Sequence, residues 1–237
     1  MTTRVKWAAK LDHVQEVSIL GSADLGFWQQ QLAGESLAPV NREGRAIVLI
    51  VSAEGRFLGV RFREVSVSVF VASEEVTSYF LVRAFSSCSV FAFCERLFFS
   101  TPYVGAQVGV VSEVPTAICV TSGGRSLFQA SMQPTGTTAT RMPTREFEEA
   151  LIARVYVPNR RNSARGHAKM FFAQIGGSTK VYPFLVGEDT LVIDPQENGD
   201  PFHRLVESAF VPETWMVRSN GSHAKSKTYL RSENVDF

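Results

Sequence analysis

Glu64 sits in the run Gly59 to Val71, whose residues alternate as a strand does. Side chains two apart share a face, so Val65, Val67, Val69 and Val71 line one side with Arg61 and Arg63. Phe62, Glu64, Ser66, Ser68 and Phe70 line the other. The valine side belongs against a packed layer, and the Glu-Ser-Ser side reads as a wall of a polar cavity. A glutamate held there beside a phenylalanine is partly desolvated, which raises its pKa and suits it to general acid/base work. The plainer alternative is an ion pair with Arg83 or Arg96.

Tyr103 follows Pro102 and is the second candidate. A phenol can hydrogen-bond a carbonyl or enolate oxygen, or simply fill space as a packed aromatic, but it cannot form an imine. Arg83 and Arg96 could clamp a carboxylate through paired N–H donors, or form salt bridges to Glu95 or Glu64. Lysine, the side chain that can lose its proton and attack a carbonyl, is scarce, with six against eighteen arginines and none between Lys10 and Lys169. Lys225 and Lys227 are the one near pair, but they fall in Ser222 to Phe237, which reads as a polar tail, and His223 beside them reads as a surface residue.

Other chemistries lack their residues. Cys88, Cys94 and Cys119 are odd in number and without C-x-x-C spacing, and read as buried free thiols. Neither a metal site nor a cofactor is expected, since no Cys/His cluster and no Gly-rich phosphate loop occurs. A G-x-S-x-G nucleophile turn is also missing. The formal net charge of +1 supplies no bulk field for nucleic acid or an anionic membrane, so the expected partner is a small molecule or another protein. With 237 residues, 45% of them apolar, the chain can bury a large core and is read as one domain over 1–237. Without a leader-like or membrane-length apolar run, the expected location is the cytoplasm.

The elements that must position these residues follow from periodicity. After an irregular start, Glu16 to Leu20 is a short strand, and Ala23 to Leu32 an amphipathic helix with Leu25, Trp28 and Leu32 on one face and Gly34 as its stop. Arg45 to Ser52 is too continuously apolar for a surface strand and is placed centrally. Ser78 to Phe85 is a strand, and Val90, Phe93, Cys94 and Leu97 recur at helical spacing behind Ser87, which predicts a short buried helix ending before Pro102. Tyr103 to Val111 and Thr116 to Thr121 are strands, and Gly123-Gly124 turns the second into a hairpin with Ser126 to Met132. Gln133 to Pro143 is a loop, Thr144 to Val157 fits helix or strand, and Asn159 to His167 is a basic loop. Three more strands lie between Lys169 and Ile193, then a helix over Pro201 to Phe210 and a last strand over Glu213 to Arg218. About a dozen strands against four helices means α+β, with a largely antiparallel sheet that curls or closes and helices packed outside.

A strand carrying Glu64, the strand Ser78 to Phe85, a short helix with Glu95-Arg96 and then Pro102 is an order that resembles the acetoacetate decarboxylase-like superfamily. The resemblance implies a cone-like β-barrel, an active-site role for the glutamate, and a homo-oligomer. In that family a lysine pair follows the proline, and its first member forms a Schiff base with the substrate ketone; here those positions are Tyr103 and Val104. The family's second carboxylate falls near Leu49 and is also missing. The expected function is therefore binding of a small keto- or carboxylate-bearing ligand, with lyase or proton-transfer chemistry that does not use the family's lysine. Glu64 and Tyr103 are the catalytic candidates, Arg83 and Arg96 the ligand-binding ones. The alternative is a non-catalytic ligand-binding or oligomer-forming module on the same fold.

Overall fold

The structure, a computed structural model, describes residues 3–73, 75–134, 141–148, 150–159, 168–194 and 201–236. Its first half runs β1 (Trp7–Asp24), α1 (Leu25–Ala33), β2 (Arg45–Phe57), β3 (Val60–Phe70), β4 (Thr77–Ser86), α2 (Ser89–Phe98) and β5 (Tyr103–Gly105). Next come β6 (Gln107–Val111), β7 (Ala117–Ser122), β8 (Arg125–Ser131), β9 (Leu151–Tyr156), β10 (Lys169–Gly176), β11 (Ser178–Pro183) and β12 (Thr190–Ile193). Helix α3 (Pro201–Glu207) and the long strand β13 (Val211–Ser226) follow.

Seven of these strands form a ring. Strands β1 to β4 pair in sequence as antiparallel neighbours, β4 pairs with β9 in parallel, and β9 pairs antiparallel with β10. Strand β13 then pairs antiparallel with both β10 and β1, which closes the circuit. Where β13 faces β1 the register shifts four times, including on both sides of Gly221, and such bulges bend and twist a strand too long to stay flat. Gly177, at φ +115°, makes the turn from β10 to β11, and a Cβ there would lie 2.9 Å from the Asn220 carbonyl oxygen. The α+β reading with a curled, closing sheet agrees with this architecture.

The two faces of β3 divide as their alternation requires. Val65, Val67 and Val69 point outward into the main core, with Trp28 and Leu32 of α1 and Phe202 and Leu205 of α3. A second sheet, ordered β12-β8-β7-β6, adds Phe128, Val120 and Val108 to that layer. Phe62, Glu64, Ser66 and Ser68 point into the lumen of the ring. The apolar β2 is central, flanked by β1 and β3, and the hairpin of β7 and β8 turns on Gly123 and Gly124, both at positive φ.

Several boundaries differ from the sequence reading. The start is not irregular: β1 begins at Trp7, and its polar first half finds backbone partners in the last residues of β13. Asp24 caps α1 by accepting a hydrogen bond from the Phe27 N–H at 2.5 Å. Residues 151–156 are strand, and 222–226 belong to β13 and not to a tail. Helix α2 forms where expected, but the apolar set taken as its buried face points largely outward: Val90, Phe93 and Leu97 are 69%, 55% and 59% exposed, while Ala92 and Glu95 are buried. Ser87 does not cap it; its hydroxyl accepts from the Arg63 N–H. Most of the two predicted loops, 135–140 and 160–167, lies outside the described residues. No described helix is long and apolar enough to cross a membrane.

The start of β13 is held by one buried carboxylate. Asp189, its side chain fully buried, accepts from Arg141 Nη1 at 2.7 and 2.8 Å and from Trp215 Nε1 at 3.0 Å. The backbone N–H groups of Gln133 and Leu185 also donate to it, at 3.0 and 2.9 Å. Breaking a buried pair from one side strands the other charge, which costs about 3–5 kcal/mol. Asp189→Ala is therefore expected to lower the urea-unfolding free energy by about that amount, and Arg141→Met in the same chain to recover part of it. Equal midpoints for Asp189→Ala and wild type would contradict this.

Candidate active site in the ring lumen

The lumen is a cavity of about 260 Å³, lined by the ring strands and by Phe91, Cys94 and Glu95 of α2. A cavity of that size suits a small molecule. Its walls are largely apolar, with Leu49, Val51, Leu81, Val155, Phe62 and Phe91 among them. Phe62 and Phe91 stack at 4.5 Å, and Phe91 meets Tyr103 edge-on at 5.7 Å.

The polar groups gather in two clusters. In the first, Tyr103, brought in by the parallel pairing of β5 with Ala84 to Ser86, donates its Oη–H to Glu64 Oε2 at 2.7 Å. Burial is the largest influence on Glu64 and pushes its pKa above the ordinary carboxylate value, helped by the negative charge of Glu95. The Tyr103 hydrogen bond and the charges of His223 and Lys225 act the other way without reversing it. Burial and the two carboxylates drive the Tyr103 phenol well above its usual pKa. Glu95, on the buried side of α2, accepts from Thr101 Oγ1 at 2.7 Å and from Lys225 Nζ. The Lys225 ammonium also lies over the rings of Phe171 and Phe99, 4.4 and 4.5 Å from their centroids.

The second cluster joins β1 to β13. Glu16 accepts from Arg218 Nη1 at 2.8 Å and from Ser18 Oγ at 3.2 Å, and lies 2.7 Å from His223 Nε2. Burial acts to raise its pKa, but the close His223 ring and the Arg218 charge outweigh it and take the carboxyl down to about 2.

The structure thus brings Glu64 and Tyr103 together, and it does not bring Arg83 and Arg96 to them. Arg96 is on the exposed outer face of α2. Arg83 pairs with Val67, whose side chain points outward, and lies near enough to Arg204 of α3 to depress that residue's pKa, behind the larger effect of burial. A register shift in β4 after Leu81 turns Arg83 away from the face carrying Tyr79 and Leu81. Neither arginine lines the cavity. Glu95, Lys225, His223 and Glu16 do, and sequence reasoning assigned none of them to the site. The spacing of His223 and Lys225, two apart as on one strand face, was the available signal.

No family model matches the chain, and no curated protein matches it. Solved structures do. An acetoacetate decarboxylase from Legionella pneumophila aligns with a TM-score of 0.64 at 12% identity, over 96% of this chain and 89% of the other. An acetoacetate decarboxylase-like enzyme from Sphingomonas wittichii aligns at 0.59 and 10%, over 93% and 91%. The enduracididine biosynthesis enzyme MppR, in complex with pyruvate, aligns at 0.64 and 11%, over 98% and 93%. The likeness is one of fold: the chain shares the fold of these acetoacetate decarboxylase and acetoacetate decarboxylase-like structures.

The two glutamates set opposite pH limbs. A carboxyl depressed in the fold stabilises above its unfolded pKa, near 4.5, and that contribution is lost as pH falls toward 2; for Glu16 it amounts to about 3 kcal/mol. Glu16→Gln is therefore expected to be less stable than wild type at pH 7, with the difference shrinking as urea titrations move from about pH 5 to 3. Glu64, raised in the fold, contributes most below its unfolded pKa and loses that as pH rises through its folded value. Glu64→Gln should gain on wild type along that rise. Differences independent of pH for both variants would contradict these assignments.

Proposed function

We propose that the lumen binds a small keto- or carboxylate-bearing ligand and acts on it by proton transfer next to the carbonyl, without the loop lysine whose place Tyr103 occupies. The observation that carries this reading is the Tyr103–Glu64 hydrogen bond inside a mostly apolar cavity. A carboxylate whose pKa burial has raised is a stronger base than one in water, and so better matched to a carbon acid. As Glu64 takes the α-proton it no longer requires the Tyr103 hydrogen, and the phenol O–H is free to hold the enolate oxygen. For a β-keto acid the same parts support a lyase step. The carboxylate leaves as carbon dioxide, its bonding pair becomes the enolate held by Tyr103, and Glu64, entering this step protonated, gives its proton to the carbon and is reprotonated from water. Pyruvate in the complex of the similarly folded MppR is a molecule of the proposed class. The ordinary Schiff-base route of the family is not proposed, and 1–237 is taken to work as one domain.

A second reading has its own support. On α2, Val90, Phe93, Leu97 and Phe98 are all more than half exposed, an apolar surface suited to contact with a second subunit. It favours the non-catalytic, oligomer-forming alternative if the lumen proves inert.

Two measurements separate the readings: thermal shift, and deuterium incorporation at the α-carbon in heavy water by proton NMR. Both use pyruvate, acetoacetate and phenylpyruvate. The wild type should be stabilised by at least one compound and should accelerate its exchange. Glu64→Gln should lower that acceleration by about 10²–10⁴-fold, and Tyr103→Phe should lower it too. Stabilisation with no exchange in the wild type would move the assignment to a binding module, and undiminished exchange in Glu64→Gln would remove Glu64 from its role.

A further inference from the structure

Lys225 is the lysine of the lumen, and its surroundings say how it is used. It lies on β13 opposite Ala9 of β1 and Ala173 of β10, so its neighbours across both pairings are too small to cover it. Its side chain is 18% exposed, and among the described residues its one hydrogen-bond acceptor is Glu95. An ammonium has three donors. The flanking Phe171 and Phe99 offer ring faces, which attract the charge but accept no ordinary hydrogen bond. Donors are therefore left over on a cation that faces a cavity.

We infer that Lys225 is the cation that anchors the ligand, taking the carboxylate of a small keto acid with an aryl or branched-alkyl tail by ion pairing rather than by forming an imine. The inference rests on the reading of the lumen as a ligand site and deepens it. Glu95 does not compete for this role, because Thr101 Oγ1 bonds the same oxygen, Oε2, and holds the carboxylate in place as a fixed counter-ion. The Glu95–Lys225 pair sums to no net charge, so the fixed counter-ion sets no net negative charge against a monoanion at Nζ. The arginines that could have done the work, Arg83 and Arg96, lie outside the cavity.

The proposed orientation follows from the placement of Lys225 beside Tyr103. Lys225 Nζ is 5.9 Å from the centroid of the Tyr103 ring, whose hydroxyl bonds Glu64. The carboxylate and carbonyl of a keto acid are adjacent or separated by one carbon, so in the proposed pose the carboxylate meets the ammonium and the carbonyl is turned toward the Tyr103 side of the cavity. The tail then lies among Leu49, Val51, Leu81 and Val155, which accept an apolar group and offer a polar one nothing.

The test compares phenylpyruvate with its methyl ester by calorimetric titration of wild type, Lys225→Met and Lys225→Arg. Wild type should bind the acid at least about tenfold tighter than the ester, since a charge-assisted contact is lost in the ester. Lys225→Met should bind the two equally, with its ester affinity close to wild type, and Lys225→Arg should keep part of the preference. If Lys225→Met does not fold, a Lys225→Arg variant that retains the preference and yields no borohydride-trapped adduct still supports the cation role. A Lys225→Met protein that keeps the preference, or a wild type that binds acid and ester alike, overturns the anchor and leaves the lumen reading intact. Failure of wild type to bind either compound removes both. A borohydride-stable mass adduct on the wild-type peptide containing Lys225 overturns ion pairing in favour of covalent attachment.

Discussion

Backbone pairing of β13 with β1 on one side and β10 on the other is the constraint on which the site depends. Without it the sheet would be an open curl, and the polar face of β3 would look into water. With it, Glu64, Ser66 and Ser68 look into a lumen whose wall includes β13 itself. Closure also decides what that wall contains. Because β13 is pinned near its start through Trp215 and Asp189, its later residues reach the lumen in a set register, and His223 and Lys225 become part of the cavity.

Closure makes solvation the deciding term in the electrostatics. Glu16 and Glu64 are the same residue type in the same lumen, and burial acts on both to raise the pKa. Glu16 has a guanidinium and an imidazole against it and ends far below its ordinary value, a structural anion tying β1 to β13. Glu64 has a phenol and a second carboxylate nearby, and burial wins. A carboxyl left in that condition is better placed to exchange a proton than one held by a guanidinium and an imidazole. The environment, and not the residue type, separates the two glutamates.

What the sequence made legible follows the strength of its periodicity. The alternation in β3 separated a valine face from a Glu-Ser face, and both faces are where that pattern put them. The central place of β2 and the hairpin at Gly123-Gly124 were equally readable. Helix α2 was found, but its spacing was read backwards: Val90, Phe93 and Leu97 suggested a buried stripe, while the helix turns Glu95 inward to meet Lys225 and Thr101. A polar residue satisfied by tertiary partners leaves no local trace of being buried. The same holds for β13, where Ser222 to Ser226 carries no apolar alternation and is strand because neighbours on both sides supply backbone partners. The position of Arg83 was illegible for a related reason, since a single register shift in β4 turns it to the face away from the cavity.

The account stands most directly on where a keto acid sits. A crystal structure of the protein soaked with phenylpyruvate would show it. The prediction is a carboxylate within hydrogen-bond distance of Lys225 Nζ, a keto oxygen toward Tyr103, and an aryl ring among the apolar side chains of β2, β4 and β9, with no bond between nitrogen and carbon. Ligand found outside a lumen that holds only water, or continuous density from Nζ to the keto carbon, would contradict it.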